Sequence, residues 1–197
     1  MYQMNRDSNN KLIISSPLEA HKPHTLTLDM CALDNGLENP QFACLEIDYG
    51  EADSNQAAVV TGEHLKTLVV YEVDLGLNHV VRKFAEPLPK TAHALIAVPG
   101  GDNEEGPSGV LVACENFILY KQQGHEDRRC TLPIRHDQST SSGLFITNSQ
   151  AFFNAELGVI IFLQSEHGDL YKVSLDRNGS DVLGITVQYF DTIAPAT

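Results

Sequence analysis

The sequence predicts an all-β protein built of repeated antiparallel units, and three observations carry that prediction. Its apolar segments are short, rich in Val, Ile, Leu, Tyr and Phe, and bounded by Gly, Pro, Asn or Asp, which is the pattern of strands separated by turns. No segment sustains a helical period. A strand tyrosine recurs, because Tyr71, Tyr120 and Tyr171 stand 49 and 51 residues apart in the settings Val70-Tyr71-Glu72, Leu119-Tyr120-Lys121 and Leu170-Tyr171-Lys172. Tyr2 is a candidate fourth copy.

The strands are expected in order along the chain. A first strand at 12–15 runs into Ser16-Pro17-Leu18, and a long unit follows with strands at 25–31, 42–49, 67–74 and 79–84, closed by Glu86-Pro87-Leu88. Within it, 50–65 is acidic and alanine-rich and reads as a solvated insertion. The next unit has strands at 94–98, 110–115 and 117–121 and ends in Leu132-Pro133-Ile134. The last has strands at 144–147, 159–164, 170–175 and 185–190 before Ala194-Pro195. Its Asn178-Gly179 step suits the positive φ angles of a tight hairpin. A second marker shares the period: Gly109 and Gly158, each leading an apolar strand, are 49 residues apart.

A repeat of this length made of about four short strands is the pattern of β-propeller blades, none of which covers its own faces until it stacks on neighbours. The sequence thus reads as part of one propeller domain, about three and a half blades, with 1–16 ending one blade and 25–86, 94–135 and 144–190 forming three more. A β-sandwich with coincidental spacing is the alternative. Closed propellers take roughly four to eight blades, so the expectation is a piece of a longer protein.

Composition narrows the function classes. The 197 residues are 42% hydrophobic and carry a formal charge of −13, the wrong sign for tracking a phosphate backbone. Arg82-Lys83 and Arg128-Arg129 are the compact basic pairs, too narrow for a nucleic-acid path. No apolar run approaches the ~20 residues of a membrane span. With no secretory pattern at the N-terminus, the expectation is an intracellular protein. Its cysteines, Cys31, Cys44, Cys114 and Cys130, lack any C-x-x-C pairing and read as reduced thiols.

Candidate chemistry is sparse. His21 and His24 with Cys31 lack the second ligand pair of a structural zinc, and no spacing rule links His125, Cys130 and His136. The glycine-rich stretch 100–109 has no Gly-Lys-Ser/Thr and no ordered calcium-loop register. Glu166-His167-Gly168-Asp169 combines acid, imidazole and carboxylate but reads as a hairpin turn. Ser108 lacks the Gly-x-Ser-x-Gly elbow. The sequence therefore assigns no catalytic, cofactor-binding or metal residue, no cofactor and no partner-binding residue, while groups brought together only by the fold stay open.

Several runs carry a resemblance. Ile14-Ser15-Ser16-Pro17-Leu18-Glu19-Ala20-His21, Glu38-Asn39-Pro40 with Phe42-Ala43-Cys44-Leu45-Glu46, Asp74-Leu75-Gly76-Leu77-Asn78-His79-Val80-Val81-Arg82-Lys83, Val98-Pro99-Gly100-Gly101, Gly106-Pro107-Ser108-Gly109-Val110-Leu111 and Tyr189-Phe190-Asp191-Thr192 resemble the splicing factor 3b subunit 3 family, in the family's order. Stretches 51–64 and 136–142 depart from its pattern. The family consists of large triple-β-propeller scaffolds, related to the large subunit of the damaged-DNA-binding complex and to the largest cleavage-and-polyadenylation specificity subunit. The resemblance implies an interior part of the first propeller. It also implies a nuclear, non-enzymatic role within the U2 small nuclear ribonucleoprotein, supporting branch-site recognition in pre-mRNA splicing. The implied partners are the helical-repeat subunit 1 and small core subunits of splicing factor 3b, with RNA met mainly through them and no membrane or small-molecule substrate. The alternatives are a propeller adaptor of a cullin ubiquitin ligase and, from another class, a metal-dependent propeller hydrolase or lectin.

Overall fold

A computed structural model describes residues 2, 4–20, 22–50, 66–101, 106–135, 143–154, 156–179 and 181–194. A short hairpin, β1 (Met4–Arg6) and β2 (Leu12–Ile14), opens the chain. Three four-stranded antiparallel meanders follow: β3 (Thr25–Leu33), β4 (Gln41–Asp48), β5 (Lys66–Asp74) and β6 (His79–Leu88); β7 (Ala94–Ala97), β8 (Val110–Cys114), β9 (Phe117–Lys121) and β10 (Arg128–Thr131); β11 (Ile146–Asn154), β12 (Gly158–Ser165), β13 (Asp169–Asn178) and β14 (Asp181–Thr192). In each sheet the strands pair in chain order, as in a propeller blade.

Alternation explains the stacking. Along β5, Leu68 and Val70 face the middle sheet while Val69, Tyr71 and Val73 face away from it, and both rows are buried. Leu95, Val110, Val112 and Cys114 complete the interface between the first and middle blades. Ile96, Leu111, Ile118 and Tyr120 meet Ile161, Leu163, Tyr171 and Val173 between the middle and last blades. Strand β7 neighbours both β3 and β11, and the far-edge strands β10 and β14 also meet.

The structure departs from the sequence reading at several points. β1 and β10 are additional strands; Met4–Arg6 is wholly exposed and Arg128–Thr131 is only partly covered, so neither carries a buried stripe. Tyr2 stands exposed ahead of β1 and is no fourth repeat tyrosine. Pro87 is not in a connection but within β6, opposite Thr67, which a sheet-edge strand tolerates because its outer N–H has no ladder partner. The three repeat tyrosines all lie on the third strand of a blade, yet Tyr71 and Tyr171 face the preceding side and Tyr120 faces the following one. Spacings of 49 and 51 in place of an even repeat put Tyr120 one residue out of step, and one residue reverses the face. The expected insertion at 50–65, apart from Gly50, and the stretch 136–142 lie outside the described residues.

Candidate interaction surfaces

The blades are joined by polar ties as well as by apolar faces. On β3, Asp29 accepts a hydrogen bond from the Leu95 N–H at 2.7 Å, and just beyond it Asp34 accepts from Gly100 N–H at 3.0 Å. Between the middle and last blades, the Asn116 side chain accepts from Leu144 N–H at 2.8 Å, and His93 Nε2 donates to the Ile146 carbonyl at 2.9 Å. Tyr171 donates to the Pro133 carbonyl at 3.1 Å, and Arg128 Nε donates to the Val182 carbonyl at 3.0 Å.

Among the described residues, three charged side chains are buried on the strands: Glu46, Lys121 and Asp169. Asp169 is fully enclosed, 3.0 Å from Arg135 Nε, and accepts from Thr192 Oγ1 at 2.7 Å. Lys121 sits between Glu86 at 2.9 Å and Asp127 at 2.6 Å, joining the first and middle blades. Burial alone would lower its pKa, but the hydrogen bonds to Asp127 and Glu86 hold it above the ordinary lysine value. Glu46 accepts from the Tyr71 hydroxyl at 2.8 Å. Burial first, then that bond, push the Tyr71 pKa well above the usual phenol value.

The residues singled out in the sequence are dispersed. His24 stacks edge-on against Tyr49, and Cys31 packs at the interface of the first and middle blades, while His21 lies outside the described residues. His125 pairs with Asp181 at 3.0 Å, and His136 is likewise outside the described residues. Among the described residues no group of three His, Cys, Asp or Glu converges on a metal position. Ser108 Oγ accepts from Gly101 N–H at 3.4 Å and its carbonyl takes the Tyr120 hydroxyl at 2.9 Å. That makes it part of the β7–β8 connection. In the 166–169 turn Gly168 has φ +82°, His167 is 3.8 Å from Glu166, and Asp169 turns inward to Arg135. The basic pairs are engaged too: Lys83 with Glu72, Arg128 with Glu126 and Val182, and Arg129 over the Phe117 ring at 3.8 Å. Gly179 takes φ +63° in the β13–β14 turn. No described helix is long and apolar enough to cross a membrane.

Two surfaces stand out once these groups are accounted for. The outer face of the last blade presents Phe152 and Phe190, 40% and 63% exposed, with Phe190 tilted against Phe162 at 5.9 Å between ring centres. The outer face of the first blade carries Phe42 stacked on Tyr71 at 5.3 Å, partly covered by Leu18 and Ala20. Nothing in the sequence spacing marked Lys121 or Asp169 as buried. The one available signal was a charge closing a continuous apolar run, as in Phe117–Lys121.

Comparison with known proteins matches the RSE1/DDB1/CPSF1 first β-propeller over residues 1–197. The chain is 46% identical over its whole length to spliceosome-associated protein 130 A of Arabidopsis thaliana and 47% identical to splicing factor 3B subunit 3 of Drosophila melanogaster, covering 16% of each. It is 39% identical to pre-mRNA-splicing factor RSE1 of Mycosarcoma maydis, covering 17% of it. The chain thus spans about one-sixth of the length of these relatives.

Proposed function

This chain belongs to the RSE1/DDB1/CPSF1 first β-propeller family, and from that membership we propose that it acts as a non-enzymatic scaffold segment of a splicing factor 3b complex. In this reading it works in the nucleus, within the U2 small nuclear ribonucleoprotein, and supports branch-site recognition in pre-mRNA splicing. Its partners are the helical-repeat subunit 1 and small core subunits, with RNA met mainly through them. The observation that carries the reading is identity of 46–47% across the entire chain to relatives named for the spliceosome and for splicing factor 3B. The internal engagement of the polar side chains fits a framework, since convergent catalytic groups are the default mark of an active site.

The test is affinity purification from nuclear extract with this chain and with a version extended to close the propeller, the retained proteins being identified by mass spectrometry. Splicing factor 3b subunits are expected with the extended form. Recovery of cullin components, or of nothing specific, by a folded extended form overturns the proposal.

A further inference from the structure

The interface between the first and middle blades is not completely filled. A cavity of about 230 Å³ opens where the β3–β4, β7–β8 and β9–β10 connections meet. Its floor is apolar, formed by Leu33, Leu68, Val70, Phe84 and Val110. Cavities of ~150 Å³ admit benzene, whereas sites for drug-sized molecules run to roughly 300–1,000 Å³. The space therefore suits one ring or one branched side chain.

The mouth has a sign. Glu86 lines the cavity and is 43% exposed, and it shares the Lys121 ammonium with Asp127. Glu86 and Lys121 offset one another in the lining, and Asp127, held by the same ammonium just outside it, brings the three-residue cluster to a net charge of −1, on a chain whose formal charge is −13. An incoming cation is attracted there and an anion repelled. Because Lys121 is itself nearly buried while Glu86 is not, the carboxylate of Glu86 is the group a ligand reaches.

We propose that this inter-blade cavity is a binding site for a peptide segment that places an aromatic or branched apolar side chain beside a Lys or Arg. The apolar group enters the floor and the cation meets Glu86. The site stands on its own geometry and does not depend on the splicing reading, since its test uses no splicing component.

The probes are 2-phenylethylamine, 2-phenylethanol and phenylacetate, which share a ring and differ in charge, followed by saturation-transfer NMR on the 197-residue chain. The amine is expected to bind about two- to fivefold more tightly than the alcohol, the range of an exposed ion pair, and phenylacetate most weakly. Glu86→Gln is expected to erase the preference for the amine, and Val70→Phe, which fills the floor, to abolish binding of all three. Leu37 lines the mouth and is 54% exposed. Leu37→Asn is thus expected to weaken all three probes without touching the core, which keeps the test valid if Val70→Phe does not fold. Equal or tighter binding of phenylacetate, binding indifferent to Leu37→Asn, or no transfer to any probe at millimolar concentration in a chain with dispersed amide signals overturns the site.

Discussion

Asp169 and Lys121 are both buried charges, but their partners differ in exposure, and that difference sets what each is worth. Asp169 is fully enclosed and meets Arg135, itself 32% exposed, and the Thr192 hydroxyl, so Asp169→Ala removes a buried ion-pair partner and a buried hydrogen-bond acceptor at once. The expected loss is about 2–4 kcal/mol. The partners of Lys121, Glu86 and Asp127, are 43% and 50% exposed. They re-enter water when the ammonium is removed, and Lys121→Met is expected to cost about 1 kcal/mol or less. Urea denaturation of the two variants checks the order; a larger loss for Lys121→Met would contradict it. The thiols give a pH prediction. Burial pushes Cys31 and Cys44 up to about 12 and Cys114 up to about 11 from an ordinary 9.0, and raises Tyr171 to about 12 from 10.0. In each the neutral form is favoured by folding, so the stabilisation is complete below the unfolded pKa and is lost as pH rises from about 9 toward 12. Lys121, also raised, acts in the same direction, while Lys66, lowered by burial, opposes it. Under reducing conditions the urea midpoint is expected to fall between pH 8 and about pH 10.5, with each well-buried thiol contributing on the order of 1–2 kcal/mol. Cys44→Ala combined with Cys114→Ala is expected to flatten the slope.

Among elements, the glycine pair that revealed the repeat also separates strain from crowding. Gly109 and Gly158 have φ of +84° and +74°, where an L side chain costs roughly 1–2 kcal/mol. A Cβ at Gly158 meets open space, but one at Gly109 comes within 2.7 Å of the Lys121 carbonyl. Gly109→Ala is therefore expected to lower the thermal midpoint by more than Gly158→Ala. Equal shifts would mean that backbone strain alone decides. Strands flanked by buried rows, such as Phe117–Lys121 and Lys66–Asp74, were legible because apolar side chains recur on one or both faces. The hairpin of β13 and β14 reaches well past the predicted 170–175 and 185–190, since Asp176 to Asn178 and Asp181 to Gly184 pair through the backbone with mostly exposed side chains. Sequence periodicity reports burial, and that part of the hairpin has little. The face of Tyr120 was hidden for a related reason: the triplets around the tyrosines look alike, while a shift of a single residue decides which neighbour each one meets.

At the scale of the whole molecule, the family was legible because long matched runs extend along nearly all of the chain, whereas the site was not. The ties from Asp29 to Leu95 and from Asp34 to Gly100 each span 66 residues, and the inter-blade cavity draws its lining from three separate connections. No local window contains such a feature. The blades meet mainly their neighbours in the chain, so the stability of each depends on how many of its faces are covered. The middle sheet, with Val112 turned to one neighbour and Leu111 to the other, is covered on both. Opening then has a direction in time. Because β8 and β9 are covered on both faces and β1 and β2 are exposed, native-state hydrogen exchange is expected to find the amides of β8 and β9 slowest, those of the first and last blades faster, and those of β1 and β2 fastest. A uniform rate would mean that the three sheets come apart as one unit; a graded one would make the middle sheet a clasp that outlasts the two it holds.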